Sequence, residues 1–155
     1  MENIPNSIIR NYTYVDVRPR TSSLKIYSGE ARLYHKSRRT ELRIVFFQEI
    51  DGEGKVVTEG EADRAIIDTR TDDVELFGSI RCVSARQEAE ISAEYLFWNN
   101  ETRILEAKRN EEVLIEKSDG TSIRGRGFSI DTSAGTMEFV SPVEGTYVYT
   151  EDEEE

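Results

Sequence analysis

TSIRGRGFSIDTSAGTMEFVSPVEGTY, residues 121–147, is the stretch that decides the fold. Ile123, Phe128, Ile130, Met137, Phe139 and Val143 supply apolar side chains, and Arg124, Arg126, Asp131 and Glu138 fall between them. That near period-two alternation is the pattern of a half-buried strand. Asp131 to Gly135 is turn chemistry, with Gly135 free to take a positive φ. Gly125 and Gly127 stand where a strand must bend sharply or let another backbone approach closely. The segment therefore reads as strand, bend, strand, turn, strand.

Outward from there, the same unit recurs. His35, Asp68, Asn99 and Asp131 each open a polar turn, at spacings of 33, 31 and 32 residues. Small residues precede the turns, at Gly29-x-Ala31, Gly60-x-Ala62, Ser92-Ala93 and Gly125-x-Gly127. Apolar strands follow them, at Leu42-x-Ile44, Val74-x-Leu76, Ile104-Leu105 and Met137-x-Phe139. Units of this size cannot bury an apolar face alone and must stack on their neighbours. Asp51 to Gly54 is a hairpin signal rather than a phosphate loop, since it lacks the spacing and the Ser or Thr of one. Ser84 to Tyr95 has helix-forming composition without a 3.6-residue apolar face, and reads as a turn followed by a strand. The expectation is an all-antiparallel β protein of a dozen or more short strands. Residues 1–10 are read as a loose lead-in containing Pro5, residues 11–149 as one domain, and residues 150–155 as an acidic disordered tail.

A net charge of −11 argues against a nucleic-acid partner, whose phosphates demand clustered Lys and Arg. Five of the acidic residues form the tail 151–155, which leaves −6 on the body (−11 less −5). No window approaches a membrane span, and no secretory segment opens the chain. Cys82 is the one cysteine, so an intrachain disulfide is excluded, and its apolar neighbours suggest a buried thiol. Catalysis finds no support either. His35 lies in a basic turn with no companion for a metal or a nucleophile, and the carboxylate pairs Asp72-Asp73 and Glu111-Glu112 lie in turns. No cofactor and no metal site are expected.

Gly60-Glu-Ala62, Val74 to Gly78, Val113 to Ile115 and Gly125 to Phe128 resemble the lipopolysaccharide-transport family of periplasmic β-jellyrolls, the LptC, LptA and OstA-like domains. The resemblance spans about residues 12–147, and single-domain length with an N-terminal lead fits the LptC-like member best. It implies an open, twisted antiparallel β-jellyroll whose apolar interior shelters the acyl chains of lipopolysaccharide or a related glycolipid. It also implies edge-to-edge pairing with LptA-like jellyrolls of the export bridge, association with the inner-membrane ABC transporter complex, and a place in the periplasm. An N-terminal anchor to the inner membrane is part of the pattern; the sequence has none, which is read as truncation at Met1. Edge-to-edge homo-oligomers are a further partnership of the same kind.

Alternation nominates ten residues for the trough lining: Leu42, Ile44, Phe46, Leu76, Ile80, Leu105, Ile115, Phe128, Ile130 and Phe139. Ordinary core packing is the competing reading of each. Tyr12, Tyr14, Val17, Val143 and Tyr147 are the candidates for partner-binding edges because they lie near the chain ends. Trp98 suits either a trough rim or the core. Arg124 and Arg126 suit either lipid phosphate or a solvated face. A structural β-solenoid that binds protein partners by its edges is the rival function, and a closed barrel for a small apolar ligand the third.

Overall fold

The protein is described by a computed structural model over residues 4–17, 22–85, 87–108, 110–140 and 142–146. Twelve strands follow in order: β1 (Ser7–Asp16), β2 (Ser23–Tyr34), β3 (Arg39–Ile50), β4 (Val56–Asp68), β5 (Val74–Ser84), β6 (Ala89–Asn99), β7 (Ile104–Glu106), β8 (Glu112–Lys117), β9 (Ser122–Arg126), β10 (Phe128–Asp131), β11 (Thr136–Phe139) and β12 (Glu144–Thr146). All belong to one antiparallel sheet, and among the described residues there is no helix. The first six strands form a plain meander, each paired with the next in sequence. Beyond them the strands come as short pieces: β7 and β8 both pair with β6, β10 pairs with β7, and β9 pairs with β8.

Why a single sheet can build a core is written in the burial pattern. In β3 the buried positions are Thr40 and Leu42, then Val45, Phe47 and Glu49. Parity therefore changes at Ile44. The same inversion occurs in β2 between Ser28 and Ala31, in β4 between Ala62 and Ala65, and in β6 between Ala93 and Leu96. A strand keeps one face for alternate residues unless an irregular residue intervenes. Those residues line up across the sheet. Asn11 lies opposite Gly29, Gly29 opposite Ile44, and Ile44 opposite Asp63, and each of these pairs is skipped in the ladder. Asn11, Ile44, Gly78, Ser79 and Gly127 all have positive φ, and the register shifts between Glu61 and Arg64 and again between Phe77 and Ile80. Together these residues make a crease that runs across the strands, and the sheet doubles over along it.

The two halves of the doubled sheet face each other over the core. Leu24, Ile26 and Phe47 come from one side of the crease, and Val74, Leu76, Trp98 and Leu105 from the other; they wall one cavity together. Each fully buried Leu, Ile or Phe in this interior stabilises the fold by roughly 1.5–3 kcal/mol. Gly125 is needed for that packing. A Cβ there would lie 2.6 Å from Phe139 and 2.7 Å from Val143. Gly127, at φ 67°, makes the bend between β9 and β10.

Among the described residues the sheet does not close. β1 pairs only with β2, β11 only with β10 and β12 only with β9, so both ends of the strand order carry open edges. The expectation of an open antiparallel β-jellyroll holds, as do the four turns at His35, Asp68, Asn99 and Asp131, and the turn before β6. One boundary differs. Residues 7–10, read from sequence as part of a loose lead-in, are strand, paired from Ser7 with Leu33 to Arg10 with Glu30. Pro5 precedes the ladder and so removes no hydrogen bond from it. Residues 147–155, which include the acidic tail, lie outside the described residues.

Candidate functional site

Seven of the ten trough residues nominated from sequence are buried in one cluster: Leu42, Leu76, Ile80, Leu105, Ile115, Phe128 and Ile130. Phe139 is half-buried and packs against them, its ring 5.5 Å from that of Phe128. Ile44 and Phe46 are different. Alternation put both on the face of Leu42, but Ile44 is 79% exposed and Phe46 41% exposed. The reason is the crease: Ile44, at φ 58°, is the irregular residue of β3, so every residue after it changes face. Phe46 pairs with Tyr27 on the outer surface, ring centroids 6.0 Å apart, while Val45 and Phe47 turn inward.

The cavity itself is small, about 30 Å³, with room for about two water molecules. Its wall includes Leu24, Ile26, Phe47 and Val74, none of which the sequence nominated for the trough, with Trp98, a candidate for rim or core, and the polar Glu49, Thr58 and Thr132. One signal in β3 pointed inward there: the apolar pair Val45 and Phe47. Trp98 proves to be a wall residue, 5% exposed.

Opposite the crease the strand ends of the two halves meet, and there the core turns polar. Glu49 is 3% exposed yet carries a carboxylate. The Ser22 hydroxyl donates to Glu49 Oε2 at 2.8 Å, and the Thr58 hydroxyl to Oε1 at 3.3 Å. From the other half, Thr132 Oγ1 lies 2.9 Å from Glu49 Oε2 and 2.7 Å from the Arg103 carbonyl, so one hydroxyl proton serves two acceptors. Arg103, 4% exposed, donates from Nη2 to the Ser22 carbonyl at 2.8 Å and from Nη1 to Asn100 Oδ1 at 2.9 Å. Its Nη2 is 3.7 Å from Asp16, and its guanidinium stands 5.4 Å from the centre of the Trp98 ring. Trp98 Nε1 donates to the same Asn100 oxygen. Two further contacts continue this seam. Gln87 Nε2 donates to the Gly135 carbonyl, and the Tyr14 hydroxyl bonds Asp72. Burial first, then that bond, push the Tyr14 phenol up.

The remaining expectations fall as follows. Tyr12 and Tyr14 lie on the edge strand β1 and are half-buried against the core. Val17 just follows β1 and is exposed, as is Val143 just before β12. Tyr147 lies outside the described residues. Arg124 and Arg126 point outward, and Arg124 Nε stands 3.3 Å from Glu112, both side chains half exposed. Cys82 is wholly buried, and burial pushes its thiol up to about 12. No group of His, Cys, Asp and Glu among the described residues is placed to hold a metal ion, and no helix there is long and apolar enough to cross a membrane.

An antiparallel sheet doubled over an apolar interior and left open at both edges is a β-jellyroll of the open kind. A solved structure shares that fold: LptH of Pseudomonas aeruginosa, the LptA homologous periplasmic component of the conserved lipopolysaccharide transport device. It is 14% identical to this chain, with a TM-score of 0.55, covering 81% of this chain and 95% of its own. No curated protein sequence matches. The profile of the LptC-related lipopolysaccharide-assembly family matches residues 1–148, and the chain belongs to that family.

Proposed function

We propose that this chain is a periplasmic bridge component of lipopolysaccharide export, a carrier rather than an enzyme. Its apolar interior shelters acyl chains of lipopolysaccharide or a related glycolipid and passes the lipid from an inner-membrane ABC transporter to the next, LptA-like jellyroll. In this reading the native protein is held at the inner membrane. Leu42, Leu76, Ile80, Leu105, Ile115, Phe128, Ile130 and Phe139 line the sheltered space, while Ile44 and Phe46, exposed on the outer face, do not. The edge at Tyr12, Tyr14 and Val17, and the opposite edge near Val143 and Tyr147, take neighbouring jellyrolls or a second copy by strand addition.

The observation that carries the reading is a largely apolar interior, polar at one end, set between sheet edges that are unpaired among the described residues, in a chain of this family. Acyl chains favour such a space by about 0.8 kcal/mol per CH₂, and open edges, normally a liability, suit pairing with a partner. One observation favours the rival scaffold: a cavity of about 30 Å³ is far too small for an acyl chain, so shelter requires the two halves to part.

Trp98, the one tryptophan, lies in the cavity wall and supplies the test. Lipid A with bromine on its acyl chains is titrated into the protein, alongside unbrominated lipid A. Quenching of Trp98 by the brominated lipid alone is expected. Binding without quenching, detected by co-sedimentation, favours the scaffold.

A further inference from the structure

The seam opposite the crease has an unusual make-up. Polar contacts across it, among the described residues, join segments remote in sequence: Ser22 with Arg103, Glu49 with Thr132, Gln87 with Gly135, Tyr14 with Asp72. A buried carboxylate and a buried guanidinium sit in this seam, whereas apolar residues of the same size would hold the halves together at least as well. Buried ionic groups at a junction between two movable halves suit a contact that must be made and broken, because water solvates both charges once the junction opens. The crease supplies the hinge, with positive φ in each of β1, β3 and β5.

Arg103 has a second property. Its support comes from its own half: Nη1 donates to Asn100, and Trp98 lies against the guanidinium. Nη2 instead reaches across the seam to the Ser22 carbonyl and the Asp16 carboxylate. Parting the halves removes that carbonyl acceptor and that nearby negative charge, and leaves an oriented guanidinium at the lip of the apolar interior. Planar N–H donors of this kind match phosphate oxygens.

We propose that the seam is the gate of the interior, held shut in the empty protein by Glu49 and Arg103. On opening, Arg103 exchanges the Ser22 carbonyl and Asp16 for a phosphate at the head of the acylated ligand. This rests on the acyl-chain reading above and adds to it the way in and the headgroup chemistry: a phosphorylated lipid, its phosphate at Arg103 and its chains beyond Trp98.

Two measurements test it. Spin labels at Glu53 and Ser133, both exposed and on opposite sides of the seam, report its width by pulsed electron resonance. Cys82, wholly buried, leaves labelling to the introduced cysteines. Adding bis-phosphorylated lipid A is expected to lengthen the distance between the labels, while a pair within one half, at Glu53 and Lys25, stays fixed. Bound lipid with no change across the seam overturns the gate. The second measurement compares bis-phosphorylated with dephosphorylated lipid A in the Trp98 quenching assay. The wild type is expected to prefer the phosphorylated lipid by tenfold or more, R103Q to lose that preference, and R103K to keep part of it. D16N, which removes a competing negative charge, is expected to raise affinity for the phosphorylated lipid several-fold, a direction that mere damage to the fold does not produce. An unchanged preference in folded R103Q overturns the role of Arg103. If the wild type binds no acylated lipid at all, the carrier reading itself falls, and the gate with it.

Discussion

Replacing Ile44 by asparagine is expected to stabilise this protein, although it deletes a large apolar side chain from a strand. Ile44 holds φ at 58°, a conformation that costs an ordinary L-residue roughly 1–2 kcal/mol and that asparagine tolerates. Its side chain is 79% exposed, so about a fifth of the ~1.5–3 kcal/mol of full burial, or about 0.5 kcal/mol, is lost. The balance is a gain of about 0.5–1.5 kcal/mol. Without the crease, strict alternation would carry Ile44 inward beside Leu42. The same substitution would then remove core methyls and bury an amide, at a loss of about 3 kcal/mol or more. Urea denaturation followed by circular dichroism separates the two. An unchanged slope with a higher midpoint is expected. A loss of several kcal/mol would refute the parity inversion on which the doubled sheet rests.

Two further outcomes follow from the packing. Gly125→Ala puts a methyl group 2.6 Å from the Phe139 ring and is expected to cost about 1–3 kcal/mol; Phe139→Leu in the same chain should recover part of that, read as a non-additive double-mutant cycle. Burial holds the Cys82 thiol near 12, above the ~8.5 of an unfolded thiol. Unfolding therefore releases a proton in that window, and stability, fully present below about pH 8.5, is lost as pH rises by up to ~1.4 kcal/mol per unit. Cys82→Ala should flatten the onset of that loss in thermal melts between pH 8 and 10, and an unchanged profile counts against the buried neutral thiol.

Much of this architecture is legible in the sequence, because turns and two-residue alternation are local signals. Gly135 at positive φ, the bend at Gly127 and the turns at His35, Asp68, Asn99 and Asp131 all follow from residue chemistry within a few positions. The faces of Ile44 and Phe46 do not. Their orientation depends on a line of irregular residues in neighbouring strands, and a single strand carries no mark of its neighbours' irregularities. The polar seam is equally silent in sequence. Ser22, Glu49, Arg103 and Thr132 are ordinary strand-end and turn residues until the fold brings together segments more than eighty positions apart. The first residues of β1 are hidden in the sequence because Pro5 and a polar start mask a strand whose pairing comes from β2.

The central claim is that acyl chains occupy the space between the two halves of the sheet, and site-specific photocrosslinking tests it most directly. A photoreactive residue is placed in turn at the inward positions Leu76, Ile80 and Phe128 and at the outward positions Ile44, Phe46 and Glu138, and purified lipopolysaccharide is added to each folded variant. Crosslinks from the inward set alone are the expected result. Crosslinks confined to the outward set, or none from Leu76, Ile80 and Phe128 in proteins that bind the lipid, would contradict it.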